Sequence, residues 1–449
     1  AGHRDNHAGL MNLDQMDVFR SKMQIPEGSE WSAYDNLLIE PETAKNFCLQ
    51  AQFNKRPPQV NEPPKITIPD NLTLNFRSLT STQASFGNIL HEVSRGNTDL
   101  ASRIVTTSPD VTVSTNLGPW VNQRGVFSLD VRNDVFRDEK VASAQKWLRH
   151  GTGQHFELGI AENNLFIMLA ALGLSGPLFG TRLLPIGTLY DPFIARGLDS
   201  LNYACYQDAR FMLVATPAGI TLAPEGGAHQ SISSPLIGIG QPGLSSYEPA
   251  YADELAVIMR WGFEYMQAEN GGSIYLRLST RAIDQPSREM KPELENQIIK
   301  GAYWHIPPTD GARIAIVYSG AVVPEVIEAY EQLKEDIPKL GIMAITSYDR
   351  LYHDWQRSQV ENLEERNNID CHIINLLAPL HSNATLITVQ DAHPATLSWL
   401  GSATGHKLLP LGVTEFGQSG NIQDLYRRYG IGADAIIDAA ARASIKHSH

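Results

Sequence analysis

From residue 76 onward, short apolar runs alternate with longer stretches in which apolar positions recur at three- and four-residue spacing. Val111–Val113, Phe211–Ala215 and Ser273–Leu278 are runs of strand length, whereas 83–95, 161–174, 187–206 and 252–267 carry helical periodicity. Strands alternating with helices predict a mostly parallel sheet covered on both faces, here one α/β domain over 76–295. After prolines at Pro286, Pro307 and Pro308 a second alternation begins, with strands at Arg313–Tyr318, Gly341–Thr346 and Thr385–Val389. Helical patterns at 322–335 and near 394–404, 421–429 and 432–443 complete it. The prediction is a second doubly wound domain over 300–449. Residues 1–75 are polar and cut by prolines around a helical patch at 42–52, and read as an extended connecting segment that wraps a neighbour.

The sharpest change of polarity lies within Gly153–Leu174. The ten residues Leu165–Leu174 contain no polar side chain, so Glu162 stands where a polar stretch becomes an apolar helix. A carboxylate at such a mouth is suited to share a proton with a ligand; the plainer reading is a helix-initial acid favoured by the macrodipole. His229 follows a strand run in the loop Ala223-Pro224-Glu225-Gly226-Gly227-Ala228-His229-Gln230-Ser231, whose glycines allow close backbone approach and whose imidazole can move protons near neutral pH. Most lone loop histidines are structural. Tyr190 and Phe193 are three apart and would share a helix face, as core aromatic residues also do.

Composition narrows the class. Hydrophobic residues make up 42% of the 449 and charged residues 19%, which suits a soluble globular chain of two or three domains. A formal charge of −13 argues against nucleic acid, and the longest apolar run is about half a membrane span. Cys48, Cys205 and Cys371 lie far apart without metal-ligand spacing, consistent with a reducing, cytoplasmic setting. Gly238-Ile-Gly-Gln-Pro-Gly243 has dinucleotide-loop spacing, but no helical pattern opens after it.

Gly159-Ile160-Ala161-Glu162 before an apolar helix resembles the cofactor-activating motif of the thiamine-diphosphate-dependent transketolase superfamily. Over the whole chain the resemblance is greatest to the homodimeric decarboxylating component of bacterial pyruvate dehydrogenase. It is carried by Ser246-Tyr247-Glu248-Pro249-Ala250-Tyr251, by Thr414-Glu415-Phe416-Gly417-Gln418-Ser419, by Asp5–Asn12 and by Ile25–Glu30. The resemblance implies a pyrimidine-binding domain followed by a transketolase-like C-terminal domain. It implies that Glu162 bonds the aminopyrimidine, that Tyr190 and Phe193 stack on it, and that Asn116 is a further cofactor contact. It gives His229 proton transfer at the substrate, with His7 or its rival His3 on a mobile loop. Arg281, in Ser279-Thr280-Arg281, would hold a sugar phosphate or a 2-oxo acid carboxylate.

The superfamily holds the diphosphate and magnesium through a Gly-Asp-Gly…Asn motif that does not occur here, so the metal ligands are expected on a missing first domain or chain. A chain that begins at Ala1 rather than Met fits this expectation. The implied function is oxidative decarboxylation of pyruvate or a related 2-oxo acid, with transfer to a lipoyl acyltransferase. The implied assembly is a homo-oligomer, either a dimer of the full enzyme or an α2β2 form. Ketol transfer between sugar phosphates and a non-catalytic partner subunit are the alternatives.

Overall fold

The computed structural model describes residues 9–35, 37–51, 54, 63–72, 77–130, 138–365 and 370–447, and the candidates His3 and His7 lie outside them. The chain divides into two compact units, Ala1–Asn61 and Glu62–His449. In the first, a helix at Leu13–Lys22 starts at Asn12, whose side chain accepts from the Gln15 amide at 2.9 Å while the Gln15 side chain accepts from the Asn12 amide at 3.0 Å. This reciprocal cap sets the helix start. It does not make a core, because none of that helix is buried and the helix Pro41–Gln50 buries only Ala44.

The second unit holds fifteen strands among its described residues: β1 (Leu79–Thr80), β2 (Ile104–Ser108), β3 (Val126–Phe127), β4 (Arg149–His150), β5 (His155–Glu157), β6 (Leu184–Leu189), β7 (Met212–Ala215), β8 (Leu244–Tyr247), β9 (Ser273–Arg277), β10 (Ile283–Asp284), β11 (Ala302–Ile306), β12 (Ala312–Ser319), β13 (Gly341–Ile345), β14 (Leu380–Gln390) and β15 (Lys407–Leu411). Eight of them form one wholly parallel sheet in the order β4-β3-β5-β2-β6-β7-β9-β8. Every residue of β2, β6, β7 and β9 is buried, as expected of parallel strands covered on both faces. A second sheet runs β11-β13-β12-β14-β15, parallel except for its antiparallel edge strand β11. The short ladder of β1 with β10 closes the first block. The architecture is doubly wound α/β.

The two sheets are stitched together at β8. The Glu248 amide donates to the Thr346 carbonyl at 2.8 Å, and the Ser246 amide to the buried Asp349 carboxylate at 2.9 Å. Burial pushes the Asp349 carboxyl up to about 6.

Three local expectations change. The helix expected over 187–206 is instead the end of β6, a 3₁₀ turn at Asp191–Gly197 and a helix at Leu198–Tyr206. Pro192 favours the turn, and Gly197 lets it lie on the helix Glu162–Gly173, since a Cβ there would collide with the Phe166 ring. Val111–Val113 is not a strand but the entry to the turn that follows β2. Part of the connecting segment also belongs to the second unit. The Ile66 amide donates to the Gln267 side chain at 2.7 Å, and that side chain donates back to the Ile66 carbonyl at 3.2 Å.

Candidate active site at the carboxyl ends of the strands

In an open parallel sheet, the loops leaving the carboxyl ends of the strands present ligand groups. Here β5 is followed by Glu162, β2 by Asn116, β6 by Tyr190 and Phe193, β7 by the His229 loop, and β9 by Arg281. Glu162 is buried at the first position of its helix, where the free amides favour a carboxylate. Its Oε1 accepts from Arg196 Nη1 at 2.7 Å. The Arg196 guanidinium also lies 3.7 Å from the centre of the Phe193 ring. A flat cation is thus held between a carboxylate and an aromatic face.

Tyr190 and Phe193 do share one side of a turn, through the Phe193 amide bonded to the Tyr190 carbonyl at 2.8 Å, with ring centres 5.9 Å apart. The His229 ring sits 5.6 Å from Tyr190 and 5.8 Å from Phe193, so the three rings form one cluster. His229 Nδ1 is 3.5 Å from Glu225. The histidine loop leans on the segment 414–419 singled out in the sequence: Gln230 donates to the Gln418 carbonyl at 3.1 Å, and the Gly420 amide to the Ala223 carbonyl at 3.1 Å.

Asn116 is half-buried in a left-handed turn with φ 63°. The turn is fixed by the neighbouring Thr115 hydroxyl, which donates to Thr188 of β6 at 2.9 Å. A buried His155 supports it from below, 3.2 Å from both Thr112 Oγ1 and Glu157 Oε2. Burial acts to raise the Glu157 carboxyl, but bonds from His155 and Thr112 overcome it and hold the group below its usual range.

Arg281 lies apart from the aromatic cluster in its bonding. Both of its terminal nitrogens are engaged by Glu325, at 2.7 and 2.8 Å, and Nη1 also reaches the Ala321 carbonyl at 3.0 Å. Among the described residues, no group of histidine, cysteine or acidic side chains could hold a metal ion, and no helix is long and apolar enough to cross a membrane.

Several residues of this region escaped the sequence reading. Arg196 completes the Glu162 pair. Asp191, between Tyr190 and Phe193, is fully buried and accepts from Ser234 at 2.6 Å, Tyr275 at 2.5 Å, Arg277 at 3.0 Å and the Ser231 hydroxyl. Arg277 is the charged residue in a fully buried strand, and that was the available signal, since a buried charge requires partners.

The chain is similar to known proteins over most of its length. Residues 75–284 match the family described as the pyruvate dehydrogenase E1 component middle domain. The chain is 25% identical over 443 residues to the pyruvate dehydrogenase E1 component of Escherichia coli K12, covering 93% of this chain and 46% of that protein. With that of Cupriavidus necator it shares 23% over 455 residues, covering 96% and 50% respectively. The chain therefore spans about half the length of these relatives. Among solved structures, a transketolase from Campylobacter jejuni superposes with a TM-score of 0.61 at 16% identity, covering 95% of this chain and 52% of that one. A split-gene transketolase, described as an inactive beta4 tetramer, superposes with a TM-score of 0.56 at 18% identity, covering 81% of this chain and 98% of that one. The chain has the fold of the transketolases, and its residues 75–284 match the family of pyruvate dehydrogenase E1 component middle domains.

Proposed function

We propose that the chain supplies the pyrimidine side of a thiamine-diphosphate site in an enzyme that decarboxylates pyruvate or a related 2-oxo acid. The acyl unit would pass to the lipoyl group of an acyltransferase. The observation that carries this reading is the seat built by Glu162 and Phe193. It already accepts a planar, nitrogen-bearing cation, the Arg196 guanidinium, and an aminopyrimidine is likewise flat and protonatable at a ring nitrogen. When bound, thiamine diphosphate supplies a carbanion-stabilising centre.

In this reading Glu162 shares a proton with the ring nitrogen, and the exposed half of Arg196 lets its guanidinium swing aside. Tyr190 and Phe193 hold the flat ring. His229, within the same ring cluster, moves a proton at the substrate carbonyl oxygen. Asn116 closes the cofactor side.

Diphosphate and magnesium need other ligands, so the reading requires a further domain or chain. Tyr203 and Tyr206, the latter 85% exposed, offer an apolar surface on the helix packed beside that of Glu162 for such a partner or for a second copy. The likeness to a split-gene transketolase over nearly all of that chain supports a similar division of labour.

Ketol transfer between sugar phosphates is the second reading, favoured by that same likeness. It needs Arg281 as a phosphate clamp, and the Glu325 carboxylate already engages that guanidinium. The test is reconstitution with a diphosphate-binding partner, followed by artificial-acceptor reduction with pyruvate, 2-oxobutyrate and branched 2-oxo acids, beside a xylulose-phosphate transfer assay. Oxo acid turnover that disappears in Glu162→Ala supports the first reading; turnover of the sugar phosphate alone replaces it with the second.

A further inference from the structure

Arg277 ends β9 with no exposed surface, and its donors reach four segments. Nε donates to Asp191 Oδ2 at 3.0 Å and to Ser234 Oγ at 3.1 Å. Nη1 donates to Glu248 Oε1 at 2.6 Å. Nη2 donates to Ser231 Oγ at 3.2 Å, to the Ser231 carbonyl at 3.4 Å and to the Asp391 carbonyl at 3.0 Å. Asp191 immediately follows Tyr190, and Ser231 lies two residues after His229. Asp391 follows β14 of the second sheet. Glu248 is pressed by the loop after β12, where a Cβ on Gly320 would come within 2.5 Å of Oε1.

We propose that Arg277 is a positioning residue, which fixes the Tyr190–Phe193 turn and the His229 loop against each other and against the ends of the second sheet. The proposal rests on reading that turn and loop as two walls of the cofactor site. A methionine could fill much of the same volume with less desolvation. It could not direct bonds to several backbone segments at once, which a guanidinium fork does. The need for such control is large, because a displacement of about 1 Å between catalytic groups can cost about a hundredfold in rate. The Ser231 hydroxyl reinforces the link, since it bonds Asp191 and Arg277 together.

The ring of His229 reports the geometry directly, through ring-current shifts from Tyr190 and Phe193. The full chain would be labelled with ¹³C-histidine, with His229→Gln used to assign the signal. Arg277→Lys and the milder Ser231→Ala should both move the His229 Hε1 resonance toward that of an exposed histidine. Glu325→Gln breaks an ion pair linking the same two sheets without touching turn or loop, and should lower the melting temperature while leaving that resonance in place. If Arg277→Lys does not fold, Ser231→Ala carries the comparison. An unmoved resonance in Ser231→Ala, or an equal displacement in Glu325→Gln, overturns the positioning role. Thiamine diphosphate titration of the reconstituted enzyme separates the two ideas: a moved resonance with unchanged cofactor affinity keeps the coupling and removes the cofactor-site reading.

Discussion

The turn Asp191–Gly197 carries an arginine–carboxylate pair at each end, and the two pairs behave as opposites. At one end Arg196 meets Glu162 at 2.7 Å, but the Arg196 side chain is 50% exposed. At the other, Asp191 meets Arg277 at 3.0 Å with neither side chain exposed. The shorter contact is the weaker hold. Water and salt compete for the first guanidinium, whereas the second has exchanged its hydration for several directed bonds and cannot leave without stranding a charge. Burial opposes the charge of Arg277, yet Glu248 and Asp191 outweigh burial and hold the guanidinium above its usual range. One turn is therefore anchored by a fully buried pair at one end and held at the other by a pair whose arginine is half exposed.

The comparison breaks first on stability. Arg277→Met should destabilise the chain by about 3–5 kcal/mol, because Asp191 and Glu248 would remain buried without their cation. Urea unfolding followed by far-ultraviolet circular dichroism measures this. A loss below about 1 kcal/mol would mean that the buried pair is no firmer than the exposed one.

A smaller effect lies in pH. Burial pushes the Glu248 carboxyl up to about 7, against the pull of Arg277, from an ordinary value of 4.5. The folded chain then keeps a proton that the unfolded chain has released. This contribution to stability is complete below pH 4.5 and is lost as pH rises through 7, an amount on the order of 3 kcal/mol. Asp391, raised by burial to about 6, adds in the same direction. Unfolding free energies at pH 5 and pH 8 should fall less in Glu248→Gln than in the parent chain. Equal slopes would show that the Arg277 pairing keeps Glu248 ionised throughout.

The doubly wound layers were legible in the sequence because buried parallel strands leave uninterrupted apolar runs, as at Met212–Ala215 and Gly341–Ile345. Glu162 was legible for a related reason, as a charge at the edge of an apolar helix. Asp191 and Arg277 were not, because 86 residues separate them and neither neighbourhood declares a partner. A pairing between the ends of non-adjacent strands is set by sheet order, and periodicity does not encode sheet order. The break at 187–206 was missed because the end of β6 and the following turn mimic a helical spacing until Pro192 and Gly197 are weighed. Arg281 looked free in sequence because Glu325 sits 44 positions away.

The smallest effect sharpens the comparison from the other side. Arg196→Gln removes the charge from a pair whose arginine solvent already reaches although Glu162 is buried, so the unfolding free energy should fall by only about 1 kcal/mol. Raising salt toward about 1 M should reduce even that difference, since the Debye length falls to about 3 Å. The same substitution should still matter to ligands, because the guanidinium occupies both the Glu162 carboxylate and the Phe193 face. Thiamine diphosphate titrated into the reconstituted enzyme should bind Arg196→Gln at least as tightly as the parent, since a competitor for the seat has been weakened. Weaker binding would instead make Arg196 part of the cofactor's own cradle, and the exposed end of the turn would then be no more exchangeable than the buried one.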